Sequence, residues 1–268
     1  YRETHGNSTP SPALVKAALI NTALDLDDSF GTGPIPNMDE GWGALDLTTL
    51  FDTERTYTYL DQTSLLTNGQ VYEKQLLIAN PDQPLKITLT YTDEPGFPGA
   101  IPALVNDLDL ELTGPDGTIY RGNQFYNGES IPNASAGDRI NNVEAVNLSR
   151  PRPGQYTVRV RGFRIVQDAR EDTPATDQDF ALVTSGAQAK PGTGYIYMDR
   201  SAYTAPDTIY LTVIDTDLAG NSSASATVRS SSEAAAEAIS LTSASPLGVF
   251  TGVVATASGP AVQDGRLQ

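Results

Sequence analysis

The chain has 268 residues, 39% hydrophobic and 19% charged, enough to bury one large core or two to three small ones. A formal charge of −16 argues against the basic face that nucleic acid or an anionic membrane surface requires. With no cysteine and one histidine, disulfides and thiolate chemistry are excluded, and a metal would find only hard oxygen ligands.

In chain order, Ser11 is suited to cap a helix and Pro12 to occupy its first position, where a missing N–H costs nothing. Leu14, Val15, Ala18, Leu19 and Thr22 follow at helical spacing and predict one apolar stripe. Asp25, Asp27 and Asp28 and the cluster from Gly31 to Pro34 end the segment. The ten polar residues ahead of the helix cannot be a core, so the stripe is expected to lean on a larger body that precedes it. His5, in that polar leader, reads as a solvent-exposed side chain on a fraying terminus.

After about residue 55 the periodicity turns strand-like. Strands are predicted at 70–78, 85–91, 108–112, 118–120, 143–148, 156–160 and 180–183, with turns at 80–84 and 114–117. Leu108, Leu110 and Leu112 share one face, and Asp107, Asp109 and Glu111 the other, which reads as solvated. Residues 164–178 are a polar loop and 188–194 a linker. Five more strands are expected at 195–198, 208–214, 224–230, 238–242 and 249–255, while 230–238 reads as a loop or strand edge. Seven or eight short strands with Gly/Pro turns mean a sandwich or jelly roll. No apolar run approaches the roughly 18 residues of a spanning helix, so membrane insertion is not expected.

The strongest chemical constellation is a set of loop carboxylates and amides: Asp93, Asn106, Asp107, Asp109, Asp138 and Asn141, with Asn142 beside them. Calcium takes six to eight oxygens from such groups, and the same residues are also ordinary turn formers. Asp199, Asp215 and Asp217 are a weaker set of the same kind. Trp42, between Gly41 and Gly43, reads as packing under the helix. The alternating tyrosines Tyr57, Tyr59, Tyr195, Tyr197 and Tyr203 read as sheet packing, with a sugar-stacking platform as the alternative.

The stretch from Ser8 to Ala23, followed by Pro36-Asn-Met-Asp-Glu-Gly-Trp-Gly-Ala-Leu-Asp-Leu47, resembles the region just after the catalytic serine of subtilisin-like proteases. The runs Leu104 to Gly117, Asp138 to Val146 and Pro153 to Val160 resemble the β-sandwich appended to some bacterial alkaline subtilases, related to the P-domain of proprotein convertases. This resemblance spans about residues 1–188; the remainder looks like a bacterial surface-protein repeat. It implies a mainly β chain: a helical remnant of an α/β catalytic domain at 1–54, a jelly-roll or β-sandwich domain at 55–188, and a smaller, Ig-like β-sandwich module at 189–268, clipped at its end.

The resemblance further implies the C-terminal part of a secreted bacterial serine endopeptidase, its sandwich stabilising the catalytic domain with calcium. The partners implied are the missing catalytic domain and the parent's protein substrates. The Asp, His and Ser motifs of a subtilase are not present, and a serine nucleophile needs its base and orienting acid, so no activity is expected from this chain alone. The alternatives are a stand-alone carbohydrate- or surface-binding sandwich, favoured by a glycan-dependent tyrosine, and an autonomous hydrolase, which requires turnover.

Overall fold

The computed structural model describes residues 5–26, 33–231, 236–260 and 264–268. Asp27, Asp28, Gly31 and Thr32 of the expected helix stop, and 232–235 of the expected loop, lie outside the described residues. The fold is mainly β, built of antiparallel sheets consistent with a β-sandwich. Two compact units separate: one takes in residues up to 76, 81–152 and 156–188, the other 77–80, 153–155 and those from 189 onward.

The first unit begins with α1 (Pro12–Asn21) and α2 (Leu47–Leu50). Its strands follow as β1 (Tyr57–Leu66), β2 (Val71–Ile78), β3 (Leu85–Thr90), β4 (Asp107–Thr113), β5 (Ile119–Tyr126), β6 (Glu129–Pro132), β7 (Val143–Leu148), β8 (Gly154–Arg164) and β9 (Gln178–Gly186). They form a four-stranded sheet in the order β1-β9-β3-β7 and a five-stranded sheet in the order β2-β8-β4-β5-β6. In β4 the alternation does what it predicts for the leucines, and Leu108, Leu110 and Leu112 are buried. Each such side chain contributes about 1.5–3 kcal/mol on burial. Phe180 of β9 meets Tyr72 of β2 edge-on at 5.5 Å, an aromatic contact from one sheet to the other.

Strand β9 is buried at every position because both of its faces are covered. Ala13, Leu14 and Ala17 of α1 pack on its Ala181 and Val183, with Ala18 and Tyr59 at the margin. This corrects the expected stripe. The buried residues of α1 are Ala13, Leu14, Ala17 and Asn21, whereas Val15 stays 44% exposed. Alanines allow the helix close to the sheet, and the body it leans on is the sandwich that follows it in sequence. The cap is as expected: Ser11 Oγ accepts from the Leu14 N–H at 2.9 Å. The helix is also sewn down by polar bonds. Asn21 Nδ2 donates to Thr88 Oγ1 (3.1 Å) and to the Val183 carbonyl (3.3 Å), Thr90 Oγ1 donates to the Ala13 carbonyl (2.6 Å), and the Ser11 N–H donates to Asp61 Oδ2 (3.0 Å).

The second unit contains β10 (Tyr195–Met198), β11 (Thr208–Ile214), β12 (Ser223–Val228), β13 (Glu237–Ser245), β14 (Val249–Thr256) and β15 (Arg266–Leu267). They form a six-stranded sheet ordered β10-β11-β14-β13-β12, with β15 parallel beside β14. Ile209, Leu211, Val213, Ile239, Leu241, Phe250 and Val254 make its core, onto which Ala224, Ala226 and Val228 of the small-residue strand β12 pack. Among the described residues, no helix is long and apolar enough to cross a membrane.

Candidate functional site

The six nominated oxygen donors fall in three places of the first unit. Asp93, just past β3, closes a loop: its Oδ1 accepts from the Glu94 and Asn106 N–H groups (2.9 and 2.8 Å), and its Oδ2 from the Val105 N–H (2.7 Å). Asn106 is buried and its amide is spent. It donates to the Gln167 carbonyl and Gln178 Oε1, both at 2.9 Å, and accepts from the Val166 and Gln167 N–H groups at 2.9 and 3.1 Å. Asp138 holds a turn, with Oδ1 accepting from the Ile140 and Asn141 N–H groups (2.7 and 3.1 Å) and Oδ2 from the amides of Asn123 and Asn141 (both 2.6 Å).

Asp107 and Asp109 instead gather on Arg139, which sequence reasoning passed over. The guanidinium bonds both oxygens of Asp109, lies 3.5 Å from Asp107 Oδ1, and stacks 3.5 Å over the Phe163 ring. Asp107 is buried, contrary to the solvated face expected of it. Its Oδ1 has no hydrogen-bond partner among the described residues, and burial pushes its carboxyl up to about 6 against the pull of Arg139.

Glu144 of β7, also missed, lies beneath the same group and is 1% exposed. Its Oε2 accepts from the Leu110 N–H at 2.7 Å, while its Oε1 is buried without a hydrogen-bond partner. Burial raises Glu144 well above the ordinary glutamate value. The Leu110 N–H opposes the rise, and the charges of Asp109, Asp138 and Asp107 add to it. The signal was present in Val143-Glu144-Ala145-Val146, a carboxylate inside an otherwise apolar strand.

Calcium needs six to eight oxygens around one point. As placed, the nominated residues do not offer that shell: Asp93, Asn106 and Asp138 are engaged by amides, and an ion at Asp107 and Asp109 would first have to displace Arg139. Among the described residues no group of three or more His, Cys, Asp or Glu is arranged to hold a metal. Melting of the chain is therefore expected to be the same in millimolar calcium and in chelator. A reproducible rise with calcium would show that the loops rearrange around the ion.

A second feature is a cleft of about 610 Å³ beside α1, within the same unit. Trp42, Phe125 and Pro36 supply its apolar wall, and Asn123, Asp138, Asn141 and Asn142 its polar side. Lys16 of α1 closes one edge, its Nζ 3.4 Å from Asn142 Oδ1. Trp42 and Phe125 meet edge-on at 6.3 Å. Trp42 also borders a small void together with Ile20 of α1.

The other candidates read as structural. Tyr57 and Tyr59 stack nearly parallel at 6.0 Å in β1. Asp199 accepts from the Tyr203 hydroxyl (2.6 Å) and the Tyr210 N–H (2.9 Å). Asp215 caps a 3-10 turn at Thr216–Leu218 by accepting from the Asp217 N–H (2.9 Å). Exposed His5 meets Tyr59 edge-on at 5.9 Å, and Ser8 Oγ donates to its backbone carbonyl (2.8 Å).

No family model matches the chain. Over 171 residues it is 30% identical to a Dictyostelium discoideum protein named serine protease/ABC transporter B family protein tagA, covering 59% of this chain and 9% of that protein. The chain thus spans only a small part of the relative it matches. Among solved structures, Bacillus licheniformis lipase BlEst2 in its propeptide form is 8% identical with a TM-score of 0.27, covering 74% of this chain and 43% of that one. In sequence, the chain is similar to part of a protein named as a serine protease.

Proposed function

We propose that this chain is the C-terminal portion of a secreted, bacterial subtilisin-like serine endopeptidase, and that its first unit is an accessory sandwich on which the catalytic domain rests. The helix motif and the Pro36 to Leu47 motif support the subtilase reading, and the protease-named relative agrees with its coarser form.

The observation that carries the reading is the two-sidedness of residues 10–51. One side of α1 is welded to the sheet, while the other leaves large apolar side chains in solvent. Val15 and Leu19 of α1 line an open groove of about 370 Å³ with Leu50 and Phe51. Phe51 is 71% exposed and Leu45 70%, with Leu24, Leu26 and Leu47 also exposed. An exposed apolar groove of this kind supports a docking place, and a catalytic domain covalently joined ahead of the helix would cover it at a lower association cost than a separate partner. In this reading the sandwich stabilises the protease and shapes access for protein substrates, and hydrolysis belongs to the docked domain.

The coding sequence upstream of Tyr1 is the first test. It is expected to encode the serine motif Gly-Thr-Ser-Met-Ala together with aspartate and histidine motifs, and its lack of all three would end the proposal. The paired substitution Val15→Ser and Phe51→Ser supplies a biochemical test. It is expected to change the stability of the chain as given by no more than about 0.5 kcal/mol per site. In the extended protease the same pair should lower the melting temperature by several degrees. Equal effects in both would show that nothing docks on this face.

A further inference from the structure

The cleft beside α1 has the size and the composition of a ligand site, and the protease reading does not use it. At about 610 Å³ it lies within the range of small-molecule pockets. Its Trp42 is half-buried. On its inner side the indole lines a void of only about 10 Å³ shared with Ile20, Ile35 and residues of β3 and β7, so it cannot fold away inward.

The segment that carries Trp42 is pinned as well. Leu24 and Ala44 exchange both backbone bonds, at 2.9 and 2.8 Å, and the Asn37 N–H donates to the Gly41 carbonyl at 3.0 Å. Gly43 has φ +98°, and a Cβ there would sit 2.5 Å from the Leu24 carbonyl oxygen. The chain can bring Trp42 to this place only with glycine beside it.

The polar lining is partly engaged within the fold: Asn142 Nδ2 donates to the Tyr91 carbonyl (3.0 Å) and Asn141 Nδ2 to Asp138 Oδ2 (2.6 Å), which leaves the side-chain amide oxygens of Asn141 and Asn142 as the acceptors a ligand hydroxyl could reach. Asn141 is exposed at the mouth. Asn142 Oδ1 takes a long 3.4 Å bond from Lys16, one that a hydroxyl can replace. Asn123 and Asp138 anchor this side, joined at 2.6 Å. Of the residues lining the cleft, Lys16 is the one cation and Asp138 the one anion, so the lining is neutral in sum. A phosphate or a polyanion finds no surplus of positive charge there. An apolar ring and amide oxygens lining one cleft match a molecule with one apolar face and a rim of hydroxyls.

We infer that the Trp42 cleft binds a neutral pyranose of an oligosaccharide, with the indole against the sugar face and Asn141 and Asn142 on its hydroxyls. The inference does not rest on the protease proposal, since it concerns a different ligand.

The chain contains a single tryptophan, so its fluorescence reports on this cleft alone. The full chain would be titrated with neutral disaccharides and short β- and α-linked glucose, xylose and N-acetylglucosamine oligomers, with oligogalacturonate, inorganic phosphate and a casein peptide as controls. The expected result is a saturable change in Trp42 emission with at least one neutral oligomer at millimolar concentration. Asn141→Ala, at an exposed position, should weaken it roughly 2- to 10-fold, the loss of one hydrogen bond, with the chain still folded and melting cooperatively. The inference is overturned if no neutral oligomer gives saturation, if a control ligand saturates instead, or if Asn141→Ala and Phe125→Ala both leave the affinity as it was.

Discussion

Glu144→Gln is expected to flatten the pH dependence of unfolding above about pH 4.5, the ordinary value for a glutamate. Burial, reinforced by Asp107, Asp109 and Asp138, lifts the folded-state value of Glu144, while the Leu110 N–H and Arg139 face it from the opposing side. A carboxyl raised on folding keeps its proton in the native chain after the unfolded chain has lost it. The native state then binds more protons over that interval, so stability is fully present below the unfolded value and falls as pH rises. One such group gives a slope of about 1.4 kcal/mol per pH unit, worth roughly 3–6 °C in a domain of this size. Asp107, pushed to about 6 from 3.8, adds its own share in the lower part of the range. Melting curves between about pH 4 and pH 8 should therefore drift apart, moving in favour of the glutamine variant with rising pH. Parallel curves would mean that Glu144 titrates near its ordinary value.

Gly186→Ala should be among the most damaging single substitutions in the first unit. Gly186 ends β9 at φ +88°, and a Cβ there would lie 1.7 Å from the Pro84 carbonyl oxygen. The obstacle is backbone, directly before the residue that pairs with it, Leu85. Relief requires parting β9 from β3 at the end of the four-stranded sheet. A loss above about 4 kcal/mol is expected, a drop of roughly 8–16 °C. Gly117→Ala isolates the conformational part, since φ is +82° with nothing within 4 Å, and should cost about 1–2 kcal/mol. Similar losses at the two sites would show that Gly186 makes no such close approach.

Some strands were legible from one-sided burial, as in β10 and β11, and others, such as β3 and β7, which are buried on both faces, from alternating or apolar runs bounded by turn residues. β3, β7, β10, β11 and β14 begin at or within a residue of where alternation and turn residues place them. β6 was missed, being four residues long and exposed over half its length, as was the two-residue β15. β1 was legible only as a change of periodicity, since its burial is nearly uniform. β9 runs past its apolar stretch in both directions, and at its start the buried Gln178 bonds Asn106 and the Thr92 carbonyl while Asp179 pairs with Arg170.

In α1 the cap could be read but the buried face could not. Alanine carries little weight in an apolar pattern, yet Ala13 and Ala17 make the contact, and Leu19 does not. The carboxylates were visible as residues, but their partners were not. Arg139 lies thirty residues from Asp109, and nothing local tells a turn carboxylate from one that needs a guanidinium. The aromatic wall of the cleft joins Trp42 to Phe125 across eighty-three positions, beyond the reach of any short motif.

The stitching of α1 to β1, β3 and β9 has a mechanical consequence. Bonds from Ser11, Ala13 and Asn21 reach all three strands, so the segment and the sheet move as one piece, with no swivel between them. A pull at the front of the helix is handed through Ser11 to the edge strand β1 and through Ala13 to the inner strand β3, so more than one ladder must shear before anything yields. Whatever is fused ahead of residue 11 is thereby mounted stiffly, and a protease probing the native chain should cut beside the helix sooner than free it.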